Sequence, residues 1–271
     1  MKIGFYDSGV GGISVLYEAM RKLPAPDYLY LADEAHVPYG TKSTEEIRAL
    51  ALEAVSCLER LGAEAVVVAC NTASSAAIHD LRERFSFPVI GMEPAVKPAV
   101  EQAKTREGER VLVLATPFTI HGKPLRDLIT RLDAEAMVDL MPMPRLVEFA
   151  EQGVFEGEAV DAYLKETLGD VRDTPDKRVV LGCTHFNYFL PALTRFFPEG
   201  TVFTDGRAGT VKHLAQVMNL TMQDDVQEET EHRTWARIAW LNSGAPVDSP
   251  EEIMRYKRYL ERLEALYGTG R

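Results

Sequence analysis

The chain has 271 residues, and 30 lysines and arginines against 41 aspartates and glutamates leave a formal net charge of −11. That balance excludes a protein built to grip nucleic acid or an anionic membrane surface. Hydrophobic residues at 46% and charged residues at 26% exclude disorder, collagen and coiled coil, and the three cysteines, with no Cys-x-x-Cys pair, exclude a disulfide framework.

In chain order, residues 2–6 predict a buried strand, followed by a glycine-rich turn and a helix over about 14–22. Residues 28–32 predict a second strand. Ser43-Thr-Glu-Glu46 is a capping box that opens a helix to about residue 61. The valine-rich run 65–69 reads as a strand covered on both faces, then comes a helix over 74–85 and a strand over 88–91. A second series starts with a strand at 111–115. Helices follow at 123–132, 145–152 and 158–169, then strands at 179–181 and 201–204. A helix at 210–218, an acidic loop (Asp224, Asp225, Glu228, Glu229, Glu231), a strand-like stretch at 234–241 and an amphipathic helix at 250–266 complete the chain. This alternation predicts an α/β protein with mainly parallel, doubly wound sheets. The start, MKIGFYDSGVGG, breaks into glycine too early for a signal peptide, and no run approaches the roughly 18 apolar residues of a membrane span. The expectation is a reduced, cytoplasmic chain.

One pattern occurs twice. Val66-Val-Val-Ala-Cys70-Asn-Thr and Val179-Val-Leu-Gly-Cys183-Thr-His lie 113 residues apart, each an apolar strand, a cysteine, small polar residues and then a helix. The repeat predicts two pseudo-symmetric halves, each presenting a cysteine at the carboxyl end of a strand, where open α/β sheets bind ligands. A helix N-terminus at such a position stabilises a thiolate. Cys57, by contrast, has apolar neighbours at helical spacing and reads as core. Two equivalent thiols facing one cleft suit two-base racemisation, in which one removes a proton from a carbon and the other returns one to the opposite face. A zinc site lacks the close-spaced ligand pairs it needs, so no metal is expected. The turn Asp7-Ser8-Gly9-Val10-Gly11-Gly12 is not a dinucleotide fingerprint. Asp7 could meet an ammonium or relay a proton there, with Ser8 donating hydrogen bonds, or either could merely cap the helix. Pro38-Tyr39-Gly40 could aim backbone N–H groups at a carboxylate, or be only a turn.

With Asp-Ser-Gly-Val-Gly-Gly (7–12), Pro-Tyr-Gly (38–40), Cys-Asn-Thr-Ala-Ser (70–74) and Gly-Cys-Thr-His (182–185) in order, the chain resembles bacterial glutamate racemases of the aspartate/glutamate racemase superfamily. The resemblance covers the chain to about residue 210. It implies cofactor-independent interconversion of L- and D-glutamate, supplying D-glutamate for peptidoglycan. It also implies two α/β domains around a cleft, here 1–95 plus 208–271 with Cys70, and 96–207 with Cys183. Cys70 would take the proton from D-glutamate, assisted by Asp7, and Cys183 from L-glutamate, assisted by His185. Glu151 matches the place of a second-side carboxylate. Ser8, Pro38, Tyr39, Gly40, Asn71, Thr72 and Thr184, with Asp7 and His185, would hold the substrate. No cofactor, metal, nucleic acid or membrane partner is implied, and a homodimer is compatible with the amphipathic helices. Altered segments such as Met141-Pro142 keep two alternatives open: a relative acting on aspartate or another acidic substrate, and a low-turnover binding protein of the same fold.

Overall fold

The computed structural model describes residues 1–23, 26–105, 108–172, 177–223, 235 and 237–268. The acidic loop at 224–231 and the start of the stretch at 234–241 lie outside these.

Two sheets organise the chain. The first contains β1 (Lys2–Asp7), β2 (Asp27–Ala32), β3 (Ala65–Val68), β4 (Val89–Gly91), β9 (Ile238–Asn242) and β10 (Ala245–Pro246), in the order β10-β9-β2-β1-β3-β4. The second contains β5 (Arg110–Ala115), β6 (Val138–Pro142), β7 (Lys177–Leu181) and β8 (Val202–Asp205), in the order β6-β5-β7-β8. The blocks β2-β1-β3-β4 and β6-β5-β7-β8 are the same parallel unit built twice, with β3 and β7 in equivalent places. Among the described strands only β10 runs antiparallel, against β9. Each unit changes winding direction beside its central strand, and the crevice at the carboxyl ends there is where α/β sheets bind ligands.

The helices between these strands are α1 (Ile13–Lys22), α2 (Thr44–Arg60), α3 (Asn71–Arg84), α4 (Val96–Ala103), α5 (Pro117–His121), α6 (Lys123–Arg131), α7 (Pro144–Glu151), α8 (Glu158–Arg172), α9 (Leu190–Phe196), α10 (Arg207–Val217) and α11 (Pro250–Tyr267). Short 3-10 turns occupy Tyr39–Thr41 and Thr184–Phe189. The capping box forms as expected: the Glu46 amide donates to Ser43 Oγ at 3.2 Å and the Ser43 amide to Glu46 Oε2 at 2.9 Å. Ser43→Ala leaves the Glu46 amide without that acceptor. A loss of about 1 kcal/mol is expected, read as a lower midpoint in urea with the same slope.

Three expectations need correcting. The helix after the first cysteine starts at Asn71 rather than near 74, because Cys70 itself is its N-cap. The second cysteine is followed by a 3-10 turn, not an α-helix, so the two cysteine motifs diverge after the strand. Helices α4, α5 and α9 and strands β6 and β10 are additional: α4 and α5 carry proline in their first turn, α9 and β10 are short, and β6 is only half-buried, so their signals are weak. One continuous core cluster draws on both sheets, including Phe5 and Ala32 from the first and Leu112 and Val179 from the second. The halves are therefore packed together rather than strung on a linker. Among the described residues no helix is long and apolar enough to cross a membrane.

Candidate active site

The carboxyl ends of β1, β3 and β7 meet between the two sheets. Asp7 ends β1 and is fully buried. Its Oδ1 accepts from the Gly9 amide at 2.9 Å and from Ser8 Oγ at 3.5 Å, and its Oδ2 accepts from Thr184 Oγ1 of the opposite half at 3.0 Å. Cys70 follows β3. Its sulfur accepts from the Ala73 amide at 3.4 Å, the thiol version of a helix N-cap, and donates to Ser8 Oγ at 3.6 Å. Cys70, Ser8 and Asp7 thus form one hydrogen-bonded chain. Burial pushes the Cys70 thiol up to about 12, and the neighbouring Asp7 charge adds to the rise, so this group rests protonated. Burial also raises the Asp7 carboxyl, partly offset by the charge of His185.

Cys183 follows β7 and has a different partner. Its sulfur lies 3.7 Å from Nδ1 of His185, whose Nε2 lies 2.7 Å from Glu151 Oε1 at the end of α7. The same Glu151 oxygen accepts from the Val10 amide at 2.9 Å. Burial works against a charged imidazole here, yet Cys183 and Glu151 outweigh it and hold the His185 pKa well above the ordinary histidine value. Sequence reasoning assigned a helix N-terminus to both sulfurs. The structure provides one at Cys70 and the imidazole of His185 at Cys183 instead.

Both sulfurs line one small cavity of about 30 Å³, together with Ser8, Pro38, Tyr39, Gly40, Thr72 and His185. Asp7, Thr184 and Glu151 stand behind this layer and act on it through hydrogen bonds. Tyr39 turns its hydroxyl away from the cavity: it accepts from Tyr6 at 2.7 Å and donates to Asp33 Oδ2 at 2.6 Å. Asn71 does not line this cavity. It borders a neighbouring cavity of about 530 Å³ beside α6, and both of its amide atoms are buried without a hydrogen-bond partner. Thr116, the N-cap of α5, was not anticipated. Its hydroxyl pairs with Thr72 across the halves at 2.9 Å, and the strand-then-Thr-Pro signature at 115–117 was the available signal. Among the described residues no cluster of His, Cys, Asp and Glu could hold a metal ion.

The glycines of the 7–12 turn serve the meeting of the halves. A Cβ on Gly9 would overlap the Glu151 carboxylate, and one on Gly11 would overlap Nδ1 of His185 and the Thr184 hydroxyl.

Known proteins share this construction. The family model for Asp/Glu/hydantoin racemases matches residues 8–214, ending before α11. A glutamate racemase of Campylobacter curvus is 44% identical, covering 98% of both chains. One of Halothermothrix orenii is 45% identical, covering 98% of this chain and all of the relative. The crystal structure of Escherichia coli glutamate racemase with L-glutamate and the activator UDP-MurNAc-Ala superposes with a TM-score of 0.76 at 30% identity, covering 91% of this chain and 98% of that one.

Proposed function

The chain belongs to the Asp/Glu/hydantoin racemase family, alongside its glutamate racemases, and from that premise we propose that it interconverts L- and D-glutamate with its two thiols and no cofactor, supplying D-glutamate for peptidoglycan. The observation that carries the reading is the pair of sulfurs lining one cavity, each with its own proton partner.

In the L-to-D direction Cys183, as a thiolate beside the His185 imidazolium, removes the α-proton, and the protonated Cys70 delivers one to the opposite face. In the reverse direction Cys70 gives up its proton through Ser8 toward Asp7 before attacking the α-proton, while Cys183 donates. Hydroxyls of Ser8, Thr72 and Thr116 and the turn at 38–41 hold the ammonium and carboxylates. Thr184 contributes by fixing Asp7, and the Asn71 amide beside Cys70, which has no hydrogen-bond partner of its own, is available to the substrate. A cavity of about 30 Å³ is far below the several hundred Å³ of sites for small molecules, so the halves separate to admit glutamate and close to exclude water. We place the domain boundaries at 95/96 and 207/208, and the chain in the cytoplasm, where free thiols stay reduced.

Incubation with L-glutamate in deuterium oxide tests the reading. Loss of optical activity together with incorporation of one deuteron at the α-carbon is expected. Turnover of L-aspartate but not L-glutamate would favour the relative with another acidic substrate, and binding without deuterium incorporation the low-turnover protein. Because Tyr39 is held by Asp33, Asp33→Asn is expected to loosen the 38–41 turn and raise KM about 10-fold with a smaller change in kcat, measured by steady-state kinetics.

A further inference from the structure

Helix α11 bridges the two halves. Tyr256 stacks on Trp240 of β9, with ring centroids 5.0 Å apart, while the Tyr259 hydroxyl donates to the Ala150 carbonyl of α7 at 2.9 Å. Next to the first of these anchors, Arg255 makes a bidentate pair with Glu34 of the first half, both contacts at 2.8 Å. The same guanidinium lies 4.0 Å from Oε2 of Glu151. Glu151 is therefore divided: Oε1 faces His185 and the Val10 amide, and Oε2 faces Arg255.

We propose that Arg255 is a positioning residue for the Cys183 side of the site, its charge shared between Glu34 and Glu151 so that Glu34 sets how strongly the Glu151 carboxylate holds the His185 proton. This rests on the reading of His185 and Cys183 as the second-side acid–base pair. The charged or ionisable groups facing Glu151 and His185 are Asp7, Cys183, Glu34 and Arg255, together with the phenols of Tyr30, Tyr188, Tyr256 and Tyr259, which burial keeps neutral. Among these the guanidinium is the cation that opposes the imidazolium. Glu34 neutralises it most directly, and an Asn242 amide donating to Glu34 at 3.0 Å keeps that carboxylate in place.

The sign follows from Coulomb's law. Removing the cation in Arg255→Met leaves Glu34 and Glu151 to favour His185 in its charged form, so the imidazole pKa rises. Removing the anion in Glu34→Gln leaves Arg255 uncompensated beside Glu151, so it falls. Shifts of about half a pH unit in opposite directions are expected, moderated by the solvent that reaches Arg255. Arg255→Lys keeps the charge and stays near wild type, and the double variant Arg255→Met/Glu34→Gln returns toward it.

The experiment titrates 13C-histidine-labelled full-length protein by NMR, with the His185 resonance assigned by its loss in His185→Asn, and follows kcat/KM against pH in parallel. Opposite shifts in the two single variants support the inference. No shift, or shifts of one sign, overturns it and makes α11 a structural strap only. The parallel profile separates the two readings. If the basic limb of kcat/KM fails to track the His185 titration in any variant, the acid–base role of His185 falls even where the electrostatic coupling stands.

Discussion

Cys70→Ser and Cys183→Ser are each expected to lower kcat/KM by about 10³-fold, because a serine hydroxyl is a far weaker base than a thiolate in the same place. The two enantiomers of an amino acid have equal free energy in water, so the equilibrium constant is one. Whichever cysteine is lost, kcat/KM must therefore fall equally in both directions. What distinguishes the variants is exchange without inversion. Cys70→Ser retains the Cys183–His185 pair and is expected to exchange the α-proton of L-glutamate with deuterium oxide while forming almost no D-glutamate. Cys183→Ser retains the chain from Cys70 through Ser8 to Asp7 and is expected to do the same for D-glutamate. Proton NMR of the α-position, with circular dichroism for inversion, reads both quantities at once. Full racemisation by the double variant would remove the thiols from the mechanism altogether.

Gly11→Ala is expected to have the second large effect. A methyl group at this position meets the His185 ring and the Thr184 hydroxyl, both fully buried parts of the opposite half. Neither can move aside without breaking the contact to Cys183 or to Asp7. The halves must then sit farther apart. A loss of about 1–3 kcal/mol in stability and about 100-fold in kcat/KM is expected, the latter because displacing reacting groups by an ångström is enough to lose that much. Gly169 provides the control. It lies within α8, and a Cβ there meets nothing within 4 Å, so Gly169→Ala is expected to leave kcat/KM unchanged and to raise stability by about 0.5–1 kcal/mol. Denaturant midpoints and steady-state rates on the two variants check both expectations.

How far the fold was legible depended on how strongly each element announced itself. The run at 65–68 is valine and alanine throughout, so its continuous β-branched character identified a central strand, and it is buried throughout. Strand β6, Val138–Pro142, is half-buried along its length and ends in proline, and it carried no comparable signal. At the site, the residue types beside each strand end pointed to acid–base chemistry because cysteine, histidine and carboxylate have few other reasons to gather there. Arg255 and Glu34 were invisible, since an arginine on a charged amphipathic helix reads as a solvated face, and their pairing spans 221 residues. Thr116 was equally hidden, its role depending on a hydroxyl from the other half.

By itself the sequence determined the strand–cysteine units, the capped helix α2 and the division into two alike halves, because these depend on period, local hydrogen bonding and backbone sterics within a few residues. Only the tertiary structure decided which neighbour each sulfur received. Cys70 and Cys183 follow equivalent strands, yet one accepts from a helix amide and the other faces an imidazole. Asn71, adjacent to Cys70 in the chain, borders a different cavity. The glycines at 9 and 11, which locally suggest only a tight turn, are required because the other half packs onto their backbone. The physical reason is common to all three: local sequence sets the path of the main chain, whereas the side that a buried polar group faces is set by the distant groups packed against it.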